Sequence, residues 1–506
     1  MSNLNVPQTS KTHHDIVIVG SGFSGLGMAI QLKKAERHDF ILLEKARDIG
    51  GTWRDNHYPG AACDVPSHMY SFSFDQNPNW TRFYSEQPEI LAYMKRCADK
   101  YQLHPHIRTN AELLEARWDA DNGIWHLKTG DGKAFTSRIL ISGIGGLSRP
   151  ILPNVKGLDT FSGTLFHSAQ WNHDYDLTGK RVAVIGTGAS SIQFVPQIAP
   201  KVKELVLFQR TPPWLVPKPD FNMAKSLRSV FSKIPGTQRA FRDFVYWNAE
   251  SFALGFLNPK LMGGIEKLSR FHLNRQIKDP VLREKLTPKY TIGCKRVLFS
   301  NNYYPALARD NVNVIASGVA EVSGNTVIGS NGERYEVDAI ICGTGFDVKD
   351  PLGPLHIYDS KGEEIHNRGD LSAYLGVTVK DLPNLFMLLG PNTALGHNSV
   401  VFMIESQINY TVKCLEEMDR QQAQSIQVRH EVQDDYNQQI QQALKKMVWG
   451  AGGCKSWYIN DKGENFTIWP GFTWQYWLKM RTPKFEHFEF KAVSPTSKAG
   501  THVTNV

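Results

Sequence analysis

At 506 residues the chain is too long for a single ordinary core, and two or three domains are expected. Its 41% hydrophobic and 21% charged content is that of a globular protein and excludes a disordered or fibrous chain. The net charge of +8 is spread along the sequence without a long basic run, so no nucleic-acid partner is expected and a basic cofactor cleft accounts for the balance.

Residues 1–14 are polar, show no signal segment and are expected to be loose. Asp15-Ile16-Val17-Ile18-Val19 reads as a buried strand. It runs into Gly20-Ser21-Gly22-Phe23-Ser24-Gly25, a helical pattern over 26–34 and a second strand, Phe40-Ile41-Leu42-Leu43-Glu44. Residues 107–118 and 124–129 read as strands of a small layer, and 139–143 as a further strand. About 160 residues after the first loop the plan repeats. Arg181–Ile185 is a strand, Gly186-Thr187-Gly188-Ala189-Ser190-Ser191 a second loop, 192–198 a helix and 204–208 the paired strand. Proline-rich 212–219 marks a boundary. Residues 220–290 read as a helical insertion. Its aromatic stretch 241–256 is expected to pack inside the protein, with peripheral membrane contact as the alternative. Short strands return over 312–341 and at 385–389, and 399–420 reads as a long helix capped by Ser399. No apolar run is long enough to cross a membrane, and the last residues are expected to fray. The six cysteines are scattered, with no Cys-x-x-Cys pair and no metal-ligand spacing. Free thiols in a reducing cytoplasm, and no metal, are expected.

Each loop offers what a pyrophosphate needs. In the first, Gly20 permits the tight turn, Gly22 lets backbone approach the phosphates, and Gly25 lets helix pack on strand. The anion then faces the unpaired N–H groups of a helix start. Glu44 lies 19 residues after Gly25, where a carboxylate accepts from ribose hydroxyls and repels a 2′-phosphate. That favours FAD or NAD over NADP. In the second loop Ser191 replaces the third small residue, and Gln209-Arg210-Thr211 follows the paired strand in place of an acid. A guanidinium there suits a 2′-phosphate, so NADPH is expected. Two dinucleotides in one chain point to hydride transfer between them.

Phe161-Ser162-Gly163-Thr164-Leu165-Phe166-His167-Ser168-Ala169-Gln170-Trp171-Asn172 precedes the second nucleotide strand. Its spacing, F-x-G-x-x-x-H-x-x-x-W, resembles the fingerprint of the flavin-dependent Baeyer–Villiger monooxygenases, except that Asn172 stands where the family continues with Pro or Asp. Further segments extend the resemblance over nearly the whole chain. They are Gly50-Gly51-Thr52-Trp53, Tyr58-Pro59-Gly60 and Asp64, then Cys294-Lys295-Arg296 followed by Asn302-Tyr303-Tyr304. Cys342-Gly343-Thr344-Gly345-Phe346 and Ser456-Trp457-Tyr458 continue it. Gly390-Pro391-Asn392-Thr393 with Gly396-His397-Asn398-Ser399 resembles members labelled hydroxyacetophenone-type, a label that does not fix the substrate.

The resemblance implies an α/β fold of two Rossmann-like dinucleotide-binding domains, for FAD and NADP, with a helical insertion. The FAD domain would comprise 15–150 and 341–486, the latter with a C-terminal loop, and the NADP domain 151–217 and 291–340. The insertion would span 218–290, and 487–506 would be a flexible tail. NADPH would reduce FAD, and O2 activated on the reduced flavin would insert one oxygen atom beside a ketone carbonyl, giving an ester or lactone. Sulfides are expected as further substrates. The alternative is an N- or S-oxidising flavin monooxygenase. Around FAD the resemblance sets Phe23 and Ser24 in the loop, Lys45 beside Glu44, and Gly51, Thr52, Trp53, Tyr58, Asp64 and Tyr70 along the flavin. Around NADPH it sets Thr187, Ser190, Gln193, Thr211 and Lys295 with the second loop and Arg210. Gly343 and Thr344 lie in a linker, Asn392 near the isoalloxazine, and Trp457 on a loop closing over the nicotinamide. The oxygenated flavin must react as an anion. Arg296, oriented by Asp64, is the expected catalytic pair, because a guanidinium stabilises an anion without giving up a proton. His167 and Trp171 are expected to link and pack domains rather than to react.

Overall fold

The computed structural model describes residues 11–348, 352, 354–365, 371–454, 456–460 and 462–492. Strand β1 (His13–Val19) leads through the first glycine loop into helix α1 (Phe23–Lys34) and strand β2 (Phe40–Leu43). The short β3 (Ile107–Arg108) follows, then β4 (Leu113–Asp119), β5 (Ile124–Thr129) and β6 (Ala134–Ser142). The chain then forms β7 (Thr164–His167), β8 (Arg181–Ile185), α2 (Ser191–Ile198) and β9 (Glu204–Phe208). Three helices project next: α3 (Lys225–Lys233), α4 (Thr237–Leu257) and α5 (Gly263–Gln276). The chain returns through β10 (Val312–Ile315), β11 (Ala339–Cys342), β12 (His356–Tyr358) and β13 (Leu385–Met387). Helices α6 (Val400–Arg420) and α7 (Thr473–Arg481) follow.

Two sheets organise these strands. The first runs β12-β4-β5-β6-β1-β2-β3, with β13 also paired to β6. The second runs β10-β9-β8-β11-β7 and is parallel throughout. The β1 run is apolar on consecutive residues because both its faces are covered. Ile16 and Ile18 join the core with Leu26 and Ile30 of α1, while Val17 and Val19 join Trp118 and Trp125 on the other side. Strand β8 repeats the arrangement, with Val182 and Val184 to one side and Ala183 and Ile185 to the other. Helix α1 ends on Lys33 and Lys34, cations favourable to the negative end of its dipole. Ser399 caps α6 by accepting from the Val401 N–H at 3.2 Å.

The fold corrects four expectations. Residues 488–492, expected in a loose tail, form a strand antiparallel to Ala423–Val428, anchored by the buried Phe488 against Tyr374 and Tyr410. His13 and His14, expected in a loose N-terminus, extend β1 because Thr136 and Ser137 of β6 offer them partners. Residues 1–10 and 493–506 lie outside the described residues. The six cysteines are not all far apart: Cys294 and Cys454, 160 residues apart in sequence, are brought together with Cα atoms 6.3 Å apart. The other four are buried thiols. The aromatic stretch 241–256 does not pack inside throughout. Val245 and Phe256 are buried, but Phe244 and Trp247 are 68% and 60% exposed. Among the described residues no helix is long and apolar enough to cross a membrane.

Candidate functional site

The two glycine loops occupy equivalent places in their sheets. Gly20 N–H donates to the Leu43 carbonyl, and Gly186 N–H to that of Phe208. Gly143, just after β6, donates to the Val19 carbonyl; Gly343, just after β11, donates to that of Ile185. Each loop therefore sits at the carboxyl end of a central strand, between neighbours reached by opposite turns of the chain. That is the switch point where open α/β sheets bind ligands. Both turns require glycine. Gly20 has φ +93° and a Cβ there would lie 2.9 Å from the Gly143 carbonyl oxygen; Gly186 has φ +106° and would lie 2.4 Å from that of Gly343. Gly22 has nothing within 4 Å of its Cβ position, leaving room for a phosphate to approach the backbone.

A cavity opens at the first loop. It brings together Gly20, Gly22, Phe23, Ser24, Glu44, Lys45, Gly51, Thr52, Trp53 and Tyr70. Glu44 is buried. Its Oε2 accepts from the Ser21 N–H at 3.0 Å and the Ser21 hydroxyl at 2.5 Å, and its Oε1 from the Ala46 N–H at 2.9 Å. Arg54 adds an ion pair to Oε1 at 2.9 Å. The carboxylate is thus fixed in place with its charge balanced. Trp53 donates to the Tyr70 hydroxyl at 3.3 Å, and Phe23 meets the Tyr70 ring edge-on. The open glycine backbone, the helix start and the buried acid fit a dinucleotide carrying free ribose hydroxyls, as FAD does.

Gly25 is not in the cavity wall: its Cβ position is filled by the Gly20 carbonyl, so it serves the helix–turn contact. Tyr58 is also outside it and ties its own segment to the second loop and the helix that follows. Its hydroxyl donates to Gln193 Oε1 at 2.8 Å and lies against Ser190, while Gln193 Nε2 donates to the Ala62 carbonyl at 2.9 Å. At the second loop Thr187 donates to the Thr211 carbonyl, and Thr344 to that of Ile151. The Ser191 side chain packs where a Cβ on Gly343 would stand.

Arg210 and Lys295 converge beside this loop, close enough that Arg210 helps lower the pKa of the Lys295 ammonium, second only to burial. Neither has a carboxylate within ion-pair reach among the described residues. The Lys295 ammonium lies over the Tyr290 ring, 5.0 Å from its centroid, and two neighbouring cations without an acid fit a phosphate.

Arg296 donates through Nε and Nη2 to Oδ2 of Asp64, at 2.9 and 2.7 Å. The Asp64 charge, despite desolvation, holds the guanidinium well above its ordinary range. Arg296 and Asp64, 232 residues apart, are thereby joined at one point. Tyr458 lies beside them; burial raises its hydroxyl pKa and Arg296 partly offsets the rise.

Two further expected cofactor residues, like Gly25 and Tyr58, lie outside the cavity wall. Asn392 is buried and spends its amide N–H groups on the Asn465 and Ile468 carbonyls, so it pins the C-terminal segment and does not reach the cavity. Trp457 is 45% exposed and lies against Tyr458, outside the cavity wall. His167 is buried and accepts from the Ala169 N–H, and Trp171 packs between Phe166 and Phe194. Sequence reading missed Arg54, Gly143 and Tyr458. The signal for Gly143 was present, since Ser142-Gly143-Ile144-Gly145 repeats the pattern of Cys342-Gly343-Thr344-Gly345.

A family profile described as pyridine nucleotide-disulphide oxidoreductase matches residues 17–233. A Baeyer–Villiger monooxygenase of Pseudomonas aeruginosa is 49% identical over 480 residues, covering 94% of this chain and 91% of that protein. One of Streptomyces coelicolor is 42% identical over 487 residues, covering 96% and 93%. Among solved structures, cyclohexanone monooxygenase from Rhodococcus sp. Phi1 bound to NADP+ superposes with a TM-score of 0.87 at 27% identity. It covers 96% of this chain and 100% of that one. Oxidized steroid monooxygenase bound to NADP superposes at 0.85 and 27%, covering 96% and 100%.

Proposed function

The chain belongs to the Baeyer–Villiger monooxygenases, and from that premise we propose which of its residues do the work and on which substrates. The reaction is NADPH- and O2-dependent insertion of one oxygen atom beside a ketone carbonyl, giving an ester or lactone. Bound FAD and NADPH supply the reducing equivalents and the activation of O2; the protein supplies binding, placement and charge.

The first loop, Glu44 and the segment Gly51–Trp53 hold FAD, and the second loop with Arg210 and Lys295 holds NADPH by its 2′-phosphate. Residues 15–150 and 343–486 make up the FAD domain, with 151–217 and 291–342 as the NADP domain; the expected boundary after 340 moves past β11, whose residues 341 and 342 pair within the second sheet. Tyr58 and Gln193 fix the 58–62 segment against the second loop and its helix. The observation that carries the catalytic reading is the forked bond of Arg296 to Asp64. It fixes a guanidinium that cannot donate its proton, the charge needed beside an oxidant that attacks a carbonyl as an anion. Trp457 closes over the nicotinamide from its exposed position, excluding water. We place the enzyme in the cytoplasm, where NADPH is at hand, and infer that small ketones and sulfides are its substrates.

The test is a panel of linear and cyclic ketones with NADPH and isotopically heavy O2. Esters or lactones carrying one heavy oxygen atom are expected. A panel that yields hydrogen peroxide alone, or a set of sulfides oxidised while every ketone is refused, would overturn the substrate reading.

A further inference from the structure

Helices α3 to α5 carry a surface that oxygen insertion does not use. On α4, Phe244, Trp247 and Leu254 recur at positions i, i+3 and i+10, which share one side of a helix. They are 68%, 60% and 50% exposed, while Val245, Ala253 and Phe256 fill the opposite side. Leu261 after α4, and Leu268 and Phe271 on α5, are 55%, 47% and 62% exposed. Large apolar side chains standing outward in such number mark a binding surface.

The charge of the same segment says what it binds. Residues 225–276 contain nine Lys and Arg against three Asp and Glu, which is +6 of the chain's net +8. One acid and one base, Glu250 and Arg242, are interior. Of the outer cations only Arg270 has a carboxylate partner, Glu266 at 2.9 Å, among the described residues. Aromatic and leucine side chains among unpaired lysines and arginines suit the headgroup boundary of an anionic bilayer. The rings enter the acyl region and the cations meet phosphate. A second copy of the chain suits it poorly, because a two-fold contact would oppose two strongly positive faces. A nucleic acid would match the charge and leave the leucines unrewarded.

We propose that helices α3 to α5 seat the protein reversibly on anionic lipid surfaces. This goes beyond the oxygenase reading and does not depend on it. Among the described residues no helix is long and apolar enough to cross the bilayer, so the three helices lie in its face, where apolar ketones also accumulate.

The test is co-sedimentation of the FAD-loaded full chain with phosphatidylcholine vesicles, with and without phosphatidylglycerol. The anionic vesicles should retain about tenfold more protein, high salt should reverse this, and tryptophan emission should shift to the blue. The double substitution F244S/W247S should abolish retention while FAD content and ketone turnover stay unchanged. Equal or absent retention on the two vesicle types overturns the proposal. So does retention that survives the double substitution. A concentration-dependent dimer that the double substitution dissolves, without vesicle binding, would instead assign the face to a second copy. Binding only to an acidic protein would overturn it as well.

Discussion

Replacing Arg210 by alanine separates phosphate recognition from everything else in the nucleotide site. The side chain has no carboxylate partner among the described residues, and Lys295 is a like charge whose pKa it lowers, after burial. Its loss therefore orphans no buried group, and folding stability should move by less than about 0.5 kcal/mol. What is lost is the forked, charge-assisted pair with the 2′-phosphate, worth about 1.5–3 kcal/mol. A value of about 2 kcal/mol corresponds to a roughly 30-fold rise in KM for NADPH. Lys295 remains and preserves part of the preference. NADH has no phosphate at this position, so its KM should change by no more than about twofold, within the spread of ordinary surface substitutions. Steady-state KM for both nucleotides, with flavin bleaching to isolate binding, reads the difference. Gly318 offers a second route to the same effect. The Arg210 stem lies 3.3 Å from its Cβ position, so Gly318→Val should displace the guanidinium and raise KM for NADPH selectively. Equal weakening of NADPH and NADH would refute the assignment, as would no change in either.

Arg296→Ala should cut ester or lactone formation by about 10²–10³, the usual cost of removing one preorganised stabiliser of anionic charge. NADPH consumption should continue, with hydrogen peroxide released in place of product, so the ratio of product to NADPH is the quantity to measure. Glu250 is buried, and burial would raise its pKa, but His397, Thr473 and Asn398 outweigh that and hold it below the ordinary 4.5. The stability it contributes is present above pH 4.5 and is lost as pH falls through the lowered value. Glu250→Ala should cost about 3 kcal/mol at neutral pH in a denaturant titration and flatten this acid-side loss.

Much of the nucleotide machinery was legible because its chemistry is local. A β-branched run, a glycine turn and an acid or an arginine after the next strand lie within about 30 residues, and that is the scale of a strand–helix–strand unit. The two sheets followed from the same runs, since strands covered on both faces have no polar alternation to hide them. What failed depends on distance or on facing. No spacing rule joins Cys294 to Cys454 across 160 residues. The aromatics of α4 occur on both its sides, so the sequence does not say that Phe244 and Trp247 face out while Phe256 faces in. The Asn392 motif was read for its neighbours. Its amide is committed to the backbone at 465 and 468, a contact made by a segment about 70 residues further along. The resemblance to a known family supplied the candidate Arg296; its meeting with Asp64 appears only in the folded chain.

Strand β8 lies between β9 and β11, and β11 is made of residues 339–342, well beyond the helices that follow β9. The first sheet waits longer still, since β13 and the helix that covers α1 come after residue 384. During synthesis the nascent chain must therefore carry an open edge on each half-built sheet while more than a hundred further residues leave the ribosome. The first half cannot be cut out as one continuous fragment, because the whole second sheet lies between its parts, and a chain stopped before position 339 would present Val182 and Val184 to any neighbouring strand.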